Sequence, residues 1–119
     1  MENIVDHLIS YQQQFRILHW QTKSFARHKA YGKFYDSFSE SMDSFIETHM
    51  GKYGRIKTGG HIELANMADI QIKDYLDEIE QFLIELSEHY DSTRDSDLLN
   101  IRDEMLGQVN KLKYLLTLD

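Results

Sequence analysis

The stretch HKAYGKFYDSFSESMDSFIETHM, residues 28–50, reads as one long amphipathic helix. Tyr31, Tyr35, Phe38, Met42, Phe45 and Met50 recur with 3.6-residue character, which stacks them on one helical face. The same stretch carries a second stripe, Asp36, Glu40, Asp43 and Glu47, at spacings of 4, 3 and 4. At ~100° per residue the acidic stripe lies roughly 145° from the aromatic one, so it faces away from the core. A helix of about 25 residues would be ~38 Å long.

Working outward, Ile4, Leu8, Tyr11, Phe15 and Leu18 mark a first helix that should end near Lys23. Beyond residue 50 the glycines Gly51, Gly54, Gly59 and Gly60 interrupt the pattern, and a short helix is expected around Glu63 to Asn66. Ile72, Tyr75, Leu76, Ile79, Phe82, Leu83 and Leu86 mark a third helix, ended by Asp91-Ser92-Thr93. A fourth follows through Leu98, Ile101, Met105, Val109, Leu112 and Leu116, with Ser92 or Asp95 as its N-cap. The connections after helices one and three are short and require antiparallel neighbours, whereas residues 51–66 form one longer connection. The expectation is a single domain over residues 1–119, all-α, an antiparallel four-helix bundle with one long crossover between helices two and three. That is the connectivity of ferritin-like bundles.

Composition narrows the function classes. Hydrophobic residues make up 41% and charged residues 28%, as in a globular chain, and no apolar run approaches the ~20 residues that would span a membrane. Met1-Glu2-Asn3 puts no positive charge ahead of an apolar stretch, unlike a signal peptide, so a cytoplasmic location away from membranes is expected. Cysteine is absent, so any metal must be held by histidine and carboxylate, which favours iron, manganese or zinc. A net charge of −7 argues against nucleic-acid binding, and Lys52, Arg55 and Lys57 form only a weak basic patch. No Glu is followed by His at the Glu-x-x-His spacing of di-iron bundles, and the zinc-protease His-Glu-x-x-His pattern is missing.

The residues that carry possible chemistry lie between positions 18 and 47. His19, beside Trp20, falls near the end of the first helix, and His28 opens the second, so the two approach each other across the connecting turn. Asp43 stands fifteen residues beyond His28, some 22 Å along the axis, too far for a shared metal within one chain. A two-fold partner laid across the outward stripe would bring a histidine pair and a carboxylate pair together twice. His7 offers a rival, roughly level with Asp43 on antiparallel helices, which the outward direction of Asp43 weakens. For His49, His61 and His89 the sequence supports no argument for a metal-ligand set. Asp74, Glu78, Glu85 and Glu88 form an outer stripe on the third helix, read as solvated surface or the lining of a cage.

Leu18-His19-Trp20-Gln21-Thr22-Lys23, Phe25, His28, and the interval from His28 to Asp43 and Glu47 resemble the ferroxidase segment of the Dps family, the miniferritins. The last helix, through Lys111-Leu112-Lys113-Tyr114, is similar as well. The resemblance implies that His19 and His28 ligate iron from one subunit and Asp43 and Glu47 from its partner. It further implies Fe(II) oxidation by peroxide, which is a ferroxidase activity, iron storage, and a homo-oligomer whose two-fold interfaces could close into a shell. Three departures accompany it. The interval between the histidines is short and lacks the usual loop glycine. Gly32 stands where the family has an acidic ligand, with Asp36 a possible accessory through water. No Lys-rich extension precedes the first helix, so DNA protection by that route is not expected. The alternative reading is a bundle of the same type acting as a structural or protein-interaction module without redox activity, for which Gly32 is the best support.

Overall fold

The computed structural model describes residues 3–118. Four helices make up the fold: α1 (Ile4–Gln21), α2 (Phe25–Tyr53), α3 (Ile72–Leu86) and α4 (Ser96–Leu115), with single 3-10 turns at Asp69–Gln71 and Ser87–His89. No strand occurs among the described residues. Helix α2 has 29 residues and matches the 43 Å length of the molecule, as a rise of about 1.5 Å per residue requires. It opens earlier than its apolar pattern suggests, because Ser24 takes an extended conformation and its hydroxyl accepts from the Arg27 amide.

The apolar stripes meet as the 3.6-residue period demands. Leu8, Phe15 and Leu18 from α1, Tyr31, Phe38 and Phe45 from α2, Leu76, Ile79, Leu83 and Leu86 from α3, and Leu98, Met105, Val109 and Leu112 from α4 are all buried in one cluster. α1 packs on α2, α2 on α4, and α4 on α3. α1 and α3 instead meet through large rings: Tyr11 against Tyr75 and Phe82 at centroid distances of 5.9 and 5.4 Å, and Phe15 against Tyr75 at 5.9 Å. The bulk of these rings holds the two helices apart.

The crossover is an extended strap, residues 54–68, and the helix expected around Glu63 to Asn66 does not form. Side chains on α1 supply the bonds that a helix would have made for itself. The Asp6 carboxylate accepts from the Thr58 hydroxyl and, at 2.8 Å, from the Gly59 amide, and Ser10 accepts from the Glu63 amide at 3.1 Å. The Gln14 amide group both accepts from Ala65 N and donates to Ala65 O, each at 2.8 Å, as a β-strand would. Four residues of α1 rise ~6 Å, and two extended residues cover about 6.6 Å, so Ser10 and Gln14 match Glu63 and Ala65 without slack. From Gly59 to Glu63 the strap has four residues for the same rise, and Gly60, at a φ of 74°, takes up the excess in a bend that a side chain would resist.

The strap delivers the chain to the far end of α1, where Asp69 fastens the start of α3. Its carboxylate accepts from the Thr22 hydroxyl at 2.9 Å and the Tyr31 hydroxyl at 3.1 Å, and Arg27 donates to the same Tyr31 oxygen at 2.9 Å. α3 therefore descends along the side of α1, opposite to it in direction, and α4 returns between α3 and α2, with Arg102 bonded to Leu83 O and Lys113 paired with Asp77 and Glu80.

Neither expected N-cap of α4 acts as one. Asp95 sits at the cap position, yet its buried carboxylate accepts from the Tyr53 hydroxyl and the Asp91 amide and pairs with Lys52 at 3.2 Å. Asp91 caps the preceding turn by accepting from the amides of Thr93 and Arg94. Hydrogen bonds from Tyr53 to Asp95 and from those amides to Asp91 hold both carboxyls below the usual range. The third helix ends at Leu86, before Asp91-Ser92-Thr93, and passes into the 3-10 turn. No described helix is long and apolar enough to cross a membrane.

Candidate functional site

The turn Thr22–Ser24 brings His19 and His28 face to face. Their rings stack at a centroid distance of 3.8 Å with an interplanar angle of 18°. Nδ1 of His19 lies 2.6 Å from the His28 carbonyl oxygen, and Nδ1 of His28 lies 2.7 Å from the His19 carbonyl oxygen. A carbonyl accepts only, so both Nδ1 atoms carry the proton and donate, leaving Nε2 of each ring as the lone-pair nitrogen. The reciprocal bonds staple the last turn of α1 to the first turn of α2. Phe25 extends the stack at 6.4 Å from His28. It is 71% exposed and Trp20 is 68% exposed, with the Arg16 guanidinium over Trp20 and Tyr35 and the Lys29 ammonium over Phe25.

Gly32 makes room for this arrangement. A Cβ built there would lie 2.9 Å from both Nδ1 and Cε1 of His19, so the position where the Dps pattern has an acidic ligand is filled by the His19 ring. Gly32→Asp should therefore displace that ring and break its bond to the His28 carbonyl. The expected loss is about 1 kcal/mol: overpacking costs about 1–3 kcal/mol, and removing glycine from a helix returns about 0.5–1 kcal/mol. Urea unfolding measures the stability, and imidazole nitrogen shifts report the tautomer. An unchanged midpoint with His19 still protonated at Nδ1 would show that the ring yields freely.

Asp43 and Glu47 are exposed on α2, as is Asp36. Among the described residues no group of three or more His, Asp or Glu side chains is placed to hold a metal ion. His7 does not join the carboxylate stripe: it faces α3 and stacks on Phe82 at 4.8 Å. His49, for which the sequence shows no partner, bonds through Nδ1 to the Tyr90 hydroxyl at 2.8 Å, and burial lowers its pKa.

A broad concavity lies elsewhere. Between α1 and α3, beneath the strap, runs a groove of about 1110 Å³. Its floor is Tyr11, Tyr75 and Phe82, the strap contributes Ile62 and Leu64 to one rim, and Glu78 and Glu85 line α3. Burial, followed by the negative charge of Glu78 and Glu85, raises the Tyr11 phenol above its ordinary value. Burial also raises Tyr75, reinforced by Tyr11, Glu78 and Glu63. Although the chain has 13 lysines and arginines, none lines the groove.

Sequence reasoning passed over Gln14, Asp6 and this groove. The available signal was polar side chains on an apolar face: Gln14 falls between Tyr11 and Phe15, and Asp6 between Ile4 and Leu8, and all six are buried.

Comparison with known proteins corrects the resemblance drawn from residues 18–47. A model of a family of unknown function, DUF5856, matches residues 19–116, taking in the segment on which the likeness to Dps rests and assigning it to a different family. The chain is also similar to the uncharacterized 14.6 kDa protein in the mobD-ri intergenic region of Enterobacteria phage T4. The two are 30% identical over 115 residues, covering 94% of this chain and 84% of that one. No solved structure matches significantly. The spacing of His19, His28, Asp43 and Glu47 that suggested a miniferritin occurs here on another lineage of helical protein, and the chain belongs to the family DUF5856.

Proposed function

We propose that the protein is a protein-interaction module without redox chemistry, a four-helix bundle that receives a partner in the groove between α1 and α3. The single long crossover is the connectivity that ferritin-like bundles use, and here it is clipped along α1 at the rim of the groove. The groove carries the reading: a concavity of about 1110 Å³, with an aromatic floor and an apolar rim, is more than the packing of four helices needs. The histidine pair fits the same reading, because both rings are committed to holding the α1–α2 corner.

A second reading keeps iron between two copies, with His19 and His28 of one facing Asp43 and Glu47 of the other. The free Nε2 atoms favour it. Its obstacle is geometric: a metal lies in the plane of each ligating ring at ~2.0–2.2 Å from nitrogen. Two planes 18° apart, with centroids 3.8 Å apart, do not converge within that reach. A shared ion would require one ring to leave its carbonyl.

Aerobic Fe(II) loading, followed by size-exclusion chromatography with light scattering and iron detection, separates the two. The interaction module should elute free of iron at an unchanged mass. Iron co-eluting with a larger closed species would overturn it in favour of the second reading.

A further inference from the structure

We propose that the groove between α1 and α3 seats a basic amphipathic helix of a partner protein. The partner's apolar side chains would rest on Tyr11, Tyr75 and Phe82, and its lysines or arginines would meet Glu78 and Glu85. This rests on the interaction reading above and names the chemistry of the partner.

Three observations specify the occupant. The first is charge: Glu78 and Glu85 line the α3 wall, Asp6 is bonded to the strap and Glu63 lies beside His61, and apart from His61 and His7 the groove has no basic side chain. An acidic wall beside aromatic faces attracts a cation through both charge and ring quadrupole. The second is shape. Two helices splayed around large rings leave a channel parallel to their axes, and a third helix fills such a channel by the same side-chain interdigitation that packs helices elsewhere. From Tyr75 to Glu85 the channel runs ~15 Å, or about three helical turns. The third is the state of the backbone. The strap's amides at Gly59, Glu63 and Ala65 are already bonded to α1, and the described residues contain no β-sheet for an extended peptide to join, so a partner that brings its own backbone bonds, as a helix does, fits better. The groove's amphipathic section, apolar along Ile62 and Leu64 and acidic along α3, matches an apolar face flanked by cations.

The test uses the intact, isotope-labelled protein and three synthetic peptides of about 14 residues, long enough for three to four turns. One has leucines at helical spacing flanked by lysines, one is a scramble of the same composition, and one has glutamates for the lysines. The lysine peptide should produce saturable amide shifts around Tyr11, Tyr75 and Phe82. Glu78→Lys combined with Glu85→Lys, both at exposed positions, should weaken it at least about tenfold and turn the preference toward the glutamate peptide. Equal binding of the scramble would reduce the effect to charge attraction and overturn the proposal. Groove shifts from the glutamate peptide alone, or concentration-dependent groove shifts without peptide, would overturn the partner's chemistry while leaving an interaction module. The latter result would make the occupant a second copy. No groove shifts under any of these conditions would overturn the groove as a docking face as well.

Discussion

Phe15→Ala should bring the protein close to unfolding at room temperature. The ring is fully buried and touches Phe34 at 4.6 Å, Tyr31 at 5.8 Å and Tyr75 at 5.9 Å, so it joins α1 to both α2 and α3. Truncating a buried phenylalanine costs about 3–5 kcal/mol through lost transfer energy and the cavity left behind. A domain of this size has only about 5–15 kcal/mol in total. Relaxation offers little relief, because α1 and α3 are already spaced by rings and neither can move inward without displacing Tyr11 or Tyr75. Phe25→Ala, which removes an equally large but exposed ring, should stay within about 0.5 kcal/mol. Urea unfolding followed by circular dichroism compares the two, and a loss below ~1.5 kcal/mol at Phe15 would mean that the aromatic contacts do not carry the α1–α3 side.

Alkali should unfold the protein well before a typical helical bundle yields. Burial, opposed by Arg27, pushes the Tyr31 phenol up to about 12, and burial aided by Asp95 pushes Tyr90 up to about 12. Tyr11 and Tyr75 are raised as well. An unfolded tyrosine loses its proton near pH 10, where the folded chain still holds these four. Stability is therefore unaffected below pH 10 and falls as pH rises toward the folded values. Each pH unit in that window costs about 1.4 kcal/mol for the fully buried Tyr31, with the other three adding to it. Together they approach the whole stability by pH 11 to 12. Phenolate absorbance and far-ultraviolet circular dichroism recorded on one titration should show a shared, cooperative step in that range. Smooth phenolate titration centred near pH 10 with helix content intact would contradict the burial.

Four helices and their apolar faces were legible because each stripe repeats at the helical period over many turns. The turn between α1 and α2 was legible too, and with it the approach of His19 to His28. What escaped depends on partners far away in the chain. Glu63 to Asn66 has helical composition, yet its backbone is claimed by Ser10 and Gln14 some fifty residues earlier, and the Asn66 side chain accepts from Gln21. Asp95 looks like a cap and spends its carboxylate on Tyr53 and Lys52. Gly32 looked like a lost ligand and is the space that an imidazole occupies. The groove was hidden for a related reason: aromatic stripes on α1 and α3 say that the helices face each other, and only the stacking of the rings shows how far apart they stand. The likeness to Dps came from residue intervals along a helix, which record where side chains point and say little about what they meet.

The clipping of the strap to α1 has a consequence for how the length of this chain can change. Between Ser10 and Gln14 the strap is drawn taut against a fixed rise, so one residue gained or lost between Glu63 and Ala65 would put every later bond out of step. Gly60 sits in slack, and the segment before Thr58 makes none of these bonds to α1. Related chains that differ in length across the crossover should therefore place the difference between residues 54 and 60, leaving the stretch from 63 to 65 at constant length, measured out by the turns of a helix that precedes it by half the protein.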